Sequence, residues 1–576
     1  MGAWSRRRKA LTAGGVLVGI WLVVVGYLLV DGALALGDGA DSLRSVRRQA
    51  TVSALVDPST HDDVVAARGR FSHAASRLDN PFLGPLRLVP VVSRHLAAAR
   101  RLAHASRDGA SVADRSLAEL GDLVEQPHRT GTQRIALLRD LGALARRASR
   151  GLEQIDVGTD RSLVSSLGDA IGELSSQRDE ASQGARRLDA VSRTLADVLD
   201  GPEPYLLLGA NNAEMRNDGG MFLSAATLGL DHGSLHLGTV RPTADTVLPP
   251  GAVAVPAELA RNWSFLDAGR DLRNLGLTAD FPQSARLAVA NWAQVPGGAR
   301  TAGVIVVDVD AIRSLLRVVG PVSAGGTRYT ADNVREQLLR EQYRRFAGDR
   351  AERRDQLGQV AQVIFDRLQH GQWDVAELAT QLSDAVQGRH LMVWSSDPKA
   401  ERAWRSVGAD GHLTDRSLSV ALLNRGAEKL DSWIRTRAVV RGAPDRPGRT
   451  RLTITYRVTN GAPATGPAYL VGPNIAGLSA GDHRGLVVVH LPAGSTGITM
   501  AGARQFLAGH DGPTEVVGGD LVVRRGTTAT VTVTALLPSG RHDLVIEPSA
   551  RIQHTDWVVE GHAYDLDRRR TVTVGS

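Results

Sequence analysis

The sequence predicts a multidomain chain: an N-terminal transmembrane helix, a long-helix bundle or hairpin, a central α/β (α+β) domain and a C-terminal β-sandwich. Three observations predict it. Residues 11–30 are apolar and carry no charge. From there to about residue 200, leucines recur at three- and four-residue spacing, the period of an amphipathic helix. Beyond Tyr205, short apolar runs alternate with helical stripes as far as 435, and from 436 to 576 nearly every run reads as strand. A chain of 576 residues is also too long for one core.

The anchor comes first. About twenty apolar residues suffice to cross a bilayer as a helix. Arg6, Arg7, Arg8 and Lys9 precede the run, while Asp31, Asp38 and Asp41 follow it. Basic residues at one end predict that residues 1–10 form a cytoplasmic tail and that the bulk of the chain is extracytoplasmic in a single-pass arrangement. A cleaved signal peptide is the competing reading, since Ala33, Leu34 and Ala35 fit a cleavage site. The length of the run favours an uncleaved anchor. Cysteine is absent, which removes thiolate metal sites and cysteine nucleophiles. The charge of +7 is the small difference between 68 basic and 61 acidic residues. That balance, with export, argues against nucleic acid and suits anionic lipid headgroups or wall polymer.

Residues 31–201 form the helical region. Leu137, Leu141 and Leu144 make one stripe, Leu163, Leu167, Ile171 and Leu174 another, and Leu188, Val191, Leu195 and Val198 a third. NPFLGPLRLVP, residues 80–90, interrupts the helices with three prolines. A second break falls near Val157 and Gly158. The region reads as a spacer or oligomerisation element within an envelope complex.

The central domain is placed at 202–435. Residues 205–208 and 221–230 read as strands around a polar loop, GANNAEMRNDGG. Asn211, Asn212, Glu214, Arg216 and Asp218 make it the densest polar cluster in the chain, and loops on rigid strands are where sites commonly lie. Asn and Asp side chains capping their own backbone would explain the same composition. VIVV at 304–307 is a strand that runs through Asp308 and Asp310 into a helix. Either aspartate suits the N-cap, and the same oxygens suit magnesium. GDRAERRDQ, residues 348–356, opens a later helix, with Arg350, Arg353 and Arg354 within five positions. Such a cluster grips phosphate or pyrophosphate; a solvated helix face is the alternative. A further strand is expected at 389–393 and a helix from near Leu413. There is no P-loop and no HExxH, and the one GxSxG string, around Ser479, lacks the strand and helix that a nucleophile elbow needs.

The domain at 436–576 alternates polar and apolar residues, as in RLTITYRVT at 451–459, with Gly and Pro between runs. This predicts the β-sandwich.

Three segments carry a family resemblance: YLLLGANNAEMRNDGG; Asp280–Pro282 through GVIVVDVDAIRSLLRVVGPV to TADNV; and LMVWSSDPKAERAWRSVGADGHL with Asn424 and Lys429. The chain resembles the DUF4012 family, membrane-anchored proteins of actinobacteria and other bacteria, across nearly its whole length. That family name implies no activity. More remotely, the central domain resembles the LytR-CpsA-Psr family, which transfers glycopolymers from polyprenyl pyrophosphate to cell-wall acceptors. This resemblance implies a LytR-CpsA-Psr-like sheet, with Arg216, Arg350, Arg353 and Arg354 at a pyrophosphate. It further implies Asp218, Asp308 and Asp310 as magnesium ligands, with Asp218 or Asp308 catalytic. Asp349 and Gln356 match that family's signature in spacing, whereas Glu352 and Asp355 stand where it has arginines. Two functions follow as expectations. One is binding or transfer of a polyprenyl-pyrophosphate-linked glycan, and the other is a non-enzymatic envelope scaffold or glycan- or lipid-binding protein. The residues leave catalysis, cofactor and homo-oligomer formation open.

Overall fold

The computed structural model describes residues 21, 23–40, 57–125, 130–159, 163–345, 350–446, 448–564 and 567–575, with the side chains of 350–358 and 446 outside that description. The expected cytoplasmic tail and residues 11–20 of the expected span lie outside the described residues. The described chain divides into two compact units, one built on residues up to 193 and one on residues from 194, apart from short exchanges at 128–135 and 375–377.

In the first unit, one helix among the described residues is long and apolar enough to cross a membrane: α1, Val23–Ala40. Its 18 residues reach about 27 Å. It does not end at residue 30 as expected; Asp31 and Asp38 lie on it. The reason is a docking partner. Val25 and Leu28 pack on Ala74, Ala75 and Leu78 of α2, Pro58–Leu78. His73 Nε2 and Arg77 Nε lie 2.8 and 2.7 Å from the Asp31 carboxylate. Asp57 caps α2, accepting from Ser59 N at 2.8 Å, with Pro58 at the first helical position. The proline-rich break becomes a 3₁₀ turn, Pro81–Leu88, before α3, Pro90–Glu125. Two more long helices complete the expected helical region: α4, Gly131–Glu153, and α5, Ser165–Asp200.

Among its described residues the second unit holds three six-stranded sheets and a two-stranded hairpin. The central sheet runs β3-β2-β1-β5-β8, from Ser234–Leu237, Gly219–Asp231, Tyr205–Arg216, Gly303–Val307 and Leu391–Ser395, with the short strand β4, Arg241–Pro242, also paired to β2. β1 is antiparallel to β2 and parallel to β5. The expected polar loop at 209–220 is instead strand and tight turn. β1 runs to Arg216, its register with β2 slips between Asn211 and Met215, and only Asn217 and Asp218 turn the chain. Two glycines permit this. Gly219 has φ 120°, and a Cβ on Gly220 would lie 2.3 Å from the Asn211 carbonyl carbon.

Helices flank this sheet: α6 (Ala257–Asn262) and α7 (Phe281–Trp292) precede β5, and α8 (Val309–Val319) follows it. A small hairpin, β6 (Val322–Ala324) and β7 (Thr327–Tyr329), leads into α9 at 334–345. Then come α10 (Arg350–His370), α11 (Val375–Gln387) and, after β8, α12 (Pro398–Ser406).

Two six-stranded sheets make up the rest. One has the order β13-β16-β11-β10-β18-β19, the other β14-β15-β12-β9-β17-β20. Their strands are β9 (Ser417–Asn424), β10 (Ile434–Arg446), β11 (Arg449–Asn460), β12 (His483–Leu491), β13 (Thr496–Ala501), β14 (Arg504–Asp511), β15 (Thr514–Val523), β16 (Thr528–Leu536), β17 (Asp543–Glu547), β18 (Thr555–Val559), β19 (His562–Tyr564) and β20 (Arg570–Thr573). The helix expected from Leu413 is the strand β9, and the strand-rich region therefore reaches back to Ser417. Its sequence misleads because the strand is covered on both faces. Leu418, Val420 and Leu422 join the core shared by the two six-stranded sheets. Ala421 and Leu423 join the core of the central sheet, with Leu206, Val304 and Trp292. Burial on both sides erases the period-two pattern.

Truncation on either face of β9 should therefore cost alike. Leu422→Ala and Leu423→Ala are each expected to lose about 2–5 kcal/mol of stability. Arg457→Ala on β11, where the side chain is exposed, should stay within about 0.5 kcal/mol. Denaturant melts of the three variants check this.

Candidate functional site

The register slip in β1 leaves Asn212, Ala213 and Glu214 outside the ladder, and their side chains turn to partners far away in sequence. Asn212 donates to Asp308 Oδ2 and to the Ala550 carbonyl, both at 2.8 Å. Asn211 donates to the Tyr343 hydroxyl at 2.5 Å. Glu214 forms an ion pair with Lys429, which is sealed from solvent. The Lys429 ammonium also lies 5.5 and 5.2 Å from the ring centres of Tyr343 and Tyr469. Burial works against its charge, but Glu214 and the tyrosines outweigh burial and raise its pKa.

A second buried group continues from this pair. Met215 N donates to Asp431 Oδ2 at 3.1 Å, and Asn424 Nδ2 donates to the same oxygen at 2.9 Å. Arg551 reaches the other oxygen at 3.1 Å, and His483 lies 3.5 Å from it. Burial works to raise the Asp431 pKa; His483 and Arg551 overturn that and hold it at about 2. Arg216 donates to the carbonyls of Met215 and Asn424, at 2.9 and 3.0 Å. Asp218, at the turn, is buried, and among the described residues its carboxylate has no hydrogen-bonding side chain near it other than Ser284. Burial pushes it up to about 7 against the attraction of Arg389.

The third group surrounds the start of α8. Asp308 is the N-cap, accepting from Asp310 N at 2.8 Å and Ala311 N at 3.0 Å. Its other oxygen lies 2.7 Å from His390 Nδ1. Asp310 pairs with Arg335, at 2.5 and 2.6 Å, and lies 3.6 Å from His390 Nε2. Burial disfavours charge on His390, but Asp308 and Asp310 overcome it and lift the imidazole to about 9.

Residues 200–343 match the model of a protein family of unknown function, DUF4012. This stretch is a DUF4012-family region. No curated protein and no solved structure matches the chain. The region contains Asn211, Asn212, Glu214, Arg216, Asp218, Asp308 and Asp310, and it ends at Tyr343. Their partners Lys429, Asp431, His390 and Arg551 lie beyond it.

Inside the DUF4012 region the seven polar residues do not converge on one cavity. Asp308 and Asp310 are neutralised by His390 and Arg335. Among the described residues no group of three or more His, Asp or Glu side chains is disposed to hold a metal ion. A cleft lies elsewhere on the central sheet. Narrow and partly open, with a volume of about 70 Å³, it sits between the central sheet and α8, α9 and α10. Leu207, Ala226, Val307, Ile312, Leu338 and Ala361 give it apolar walls, while Asn211 and Gln342 supply polar groups. Leu338 belongs to a π turn, Gln337–Glu341, a feature frequent at functional sites. Arg350, Arg353 and Arg354 occupy the opening turns of α10, the helix that contributes Ala361; their side chains lie outside the described residues.

Sequence reasoning missed His390, Arg335, Asp431, His483 and Arg551. Each is separated from its partner by 25 or more residues in most of these contacts, and no local spacing marks it. Only the prominence of Asn424 and Lys429 in the resemblance pointed toward this network.

Two pH effects follow. Asp218 has a raised pKa in the folded state, so its contribution is complete below about 3.8 and is lost as pH rises through about 7. Asp218→Asn should raise the melting temperature at pH 8 and leave it nearly unchanged at pH 4. His390 has a pKa raised from 6.5 to about 9, so it stabilises below 6.5 and that stability disappears as pH rises through 9. His390→Gln should cost on the order of 1–3 kcal/mol at pH 6 and much less at pH 10. Thermal melts across pH check both.

Proposed function

We propose that this is a membrane-anchored protein of the cell envelope whose DUF4012 region binds a lipid-linked glycan by its polyprenyl chain. The observation that carries the reading is the apolar cleft beneath α9 and α10, walled by Leu207, Val307, Ile312 and Leu338. A site with apolar walls and few polar groups suits a hydrocarbon chain. Arg350, Arg353 and Arg354, early in α10, suit the pyrophosphate. Anchoring through α1, with the bulk of the chain on the extracytoplasmic side, keeps the cleft near its lipid and raises the effective concentration. The two C-terminal sheets, read as a β-sandwich, brace the central domain.

The reading stops at binding. Asp308, offered as a base, already accepts four hydrogen bonds, and Asp218 is buried in the hairpin turn. A general base must reach the proton it takes.

The test is binding of a fluorescent polyprenyl-pyrophosphate analogue to the full chain in detergent. Ala361→Trp, which fills the cleft, should weaken binding at least about tenfold with the melting temperature kept. Arg353→Ala with Arg354→Ala should weaken the pyrophosphate but not the corresponding polyprenol. Unchanged affinity in Ala361→Trp would sink the cleft assignment.

A further inference from the structure

The turn between α2 and α3 exposes an unusual run of apolar side chains. Phe82 is 59% exposed, Leu88 85%, Val89 47%, Val91 65% and Val92 37%. Isolated exposed leucines and valines are ordinary on soluble proteins; a contiguous group marks an interaction surface. This group adjoins α1. The Trp21 indole donates to the Phe82 carbonyl at 2.9 Å, and Val23 and Tyr27 of the same helix are 73% and 59% exposed.

The turn's backbone is also unusually free of unmet polar groups. Pro81, Pro85 and Pro90 have no N–H to satisfy. Asn80 accepts from Phe82 N through its side chain and from Leu83 N through its carbonyl, both at 3.0 Å. Val89 N bonds the Leu86 carbonyl at 3.2 Å, and Ser93 N the Val89 carbonyl at 2.8 Å. A backbone satisfied internally is what entry into a low-polarity layer requires. Charge agrees. Arg87 and Arg94 are exposed within the run, and no acidic residue lies between Asp79 and Asp108. Apolar residues interleaved with arginines are the composition of a segment that lies in the headgroup and acyl boundary of an anionic bilayer.

We propose that residues 81–92 form a second membrane contact, a wedge that seats in the bilayer interface beside α1, with Phe82, Leu88 and Val91 in the acyl layer and Arg87 and Arg94 among anionic headgroups. The wedge rests on the membrane reading of α1 and is independent of the apolar cleft. It would hold α2 and α3 at a defined angle to the membrane by a second point of contact beside α1.

The absence of cysteine makes the test direct. Single variants Leu88→Cys, Val91→Cys, Val23→Cys and Leu188→Cys of the full chain are labelled with an environment-sensitive fluorophore. They are then reconstituted into phosphatidylcholine and phosphatidylglycerol vesicles containing a doxyl-labelled lipid. Quenching at positions 88 and 91 should match that at 23 and exceed that at 188, which is 50% exposed on α5, at least about twofold. Arg87→Glu with Arg94→Glu should reduce quenching at position 91 and leave position 23 unchanged. Quenching at 23 with none at 88 and 91 overturns the wedge and leaves the anchor standing. No quenching at any position overturns both.

Discussion

Lys429 is sealed from water. An ammonium in that position is tolerable only with a carboxylate beside it and aromatic faces around it. Glu214 supplies the carboxylate, and it can do so only because the β1 ladder slips between Asn211 and Met215. The irregularity in the hairpin and the buried charge beyond β9 are therefore one feature seen from two ends. Asp431 adds a second tie, accepting from Met215 N on the hairpin and from Arg551 near the end of the chain. Three segments distant in sequence meet on two carboxylates. Removing one member of such a group leaves a charge buried alone, at a cost of about 3–5 kcal/mol, whereas replacing the whole group by apolar residues is often neutral. The contribution specific to the ions is thus the register of the hairpin. A slip of one residue would turn Leu206 and Leu208 away from their core and leave Glu214 out of reach of Lys429.

The sheet containing β9 and β12 carries the second constraint. Val487, Val489 and Leu491 face the other six-stranded sheet, while Leu486 and Val488 face the central sheet. One layer is shared by two cores, so the strand-rich part and the DUF4012 region are not separable modules joined by a linker. Charged pins and a doubly buried sheet act on the same boundary. The apolar layer supplies the stabilisation there, and the ions set its alignment.

Local signals in the sequence reached the features that depend on local physics. The leucine stripes at 137–144 and 167–174, the proline break at 80–90 and the cap at Asp308 each arise within a few residues, and each has its expected kind of structure. The strand β9 escapes local signals because burial on two faces removes alternation, leaving an apolar run equally compatible with a helix. The polar cluster at 211–218 was misread as a loop for a related reason. Asn, Asp and Gly ordinarily signal turns, and here tertiary partners override that tendency over most of the stretch. Asn212 and Glu214 were legible as unusual, but their partners Asp308, Ala550 and Lys429 stand 96, 338 and 215 positions away along the chain. No spacing rule spans such distances, so the sequence marked the residues and left their purpose to the fold.

The same distinction bears on how the cleft works. Its floor is the central sheet, with β1 pinned by Asn211 to Tyr343, by Asn212 to Asp308 and by Glu214 to Lys429. A surface held by that many buried polar contacts has little freedom to reshape. Its other wall is helical and contains the π turn at Gln337–Glu341, where the hydrogen-bond ladder is already shifted by one residue. Tyr343 follows that turn and is itself tied to the floor through Asn211. The helical wall is thereby tied to the sheet at its C-terminal end, just beyond the π turn around Leu338. In the proposed reading, a long apolar chain enters between the pinned sheet and the helical wall. The polar residues that resemble catalytic groups are each engaged in buried contacts that tie β1 to Tyr343, Asp308 and Lys429.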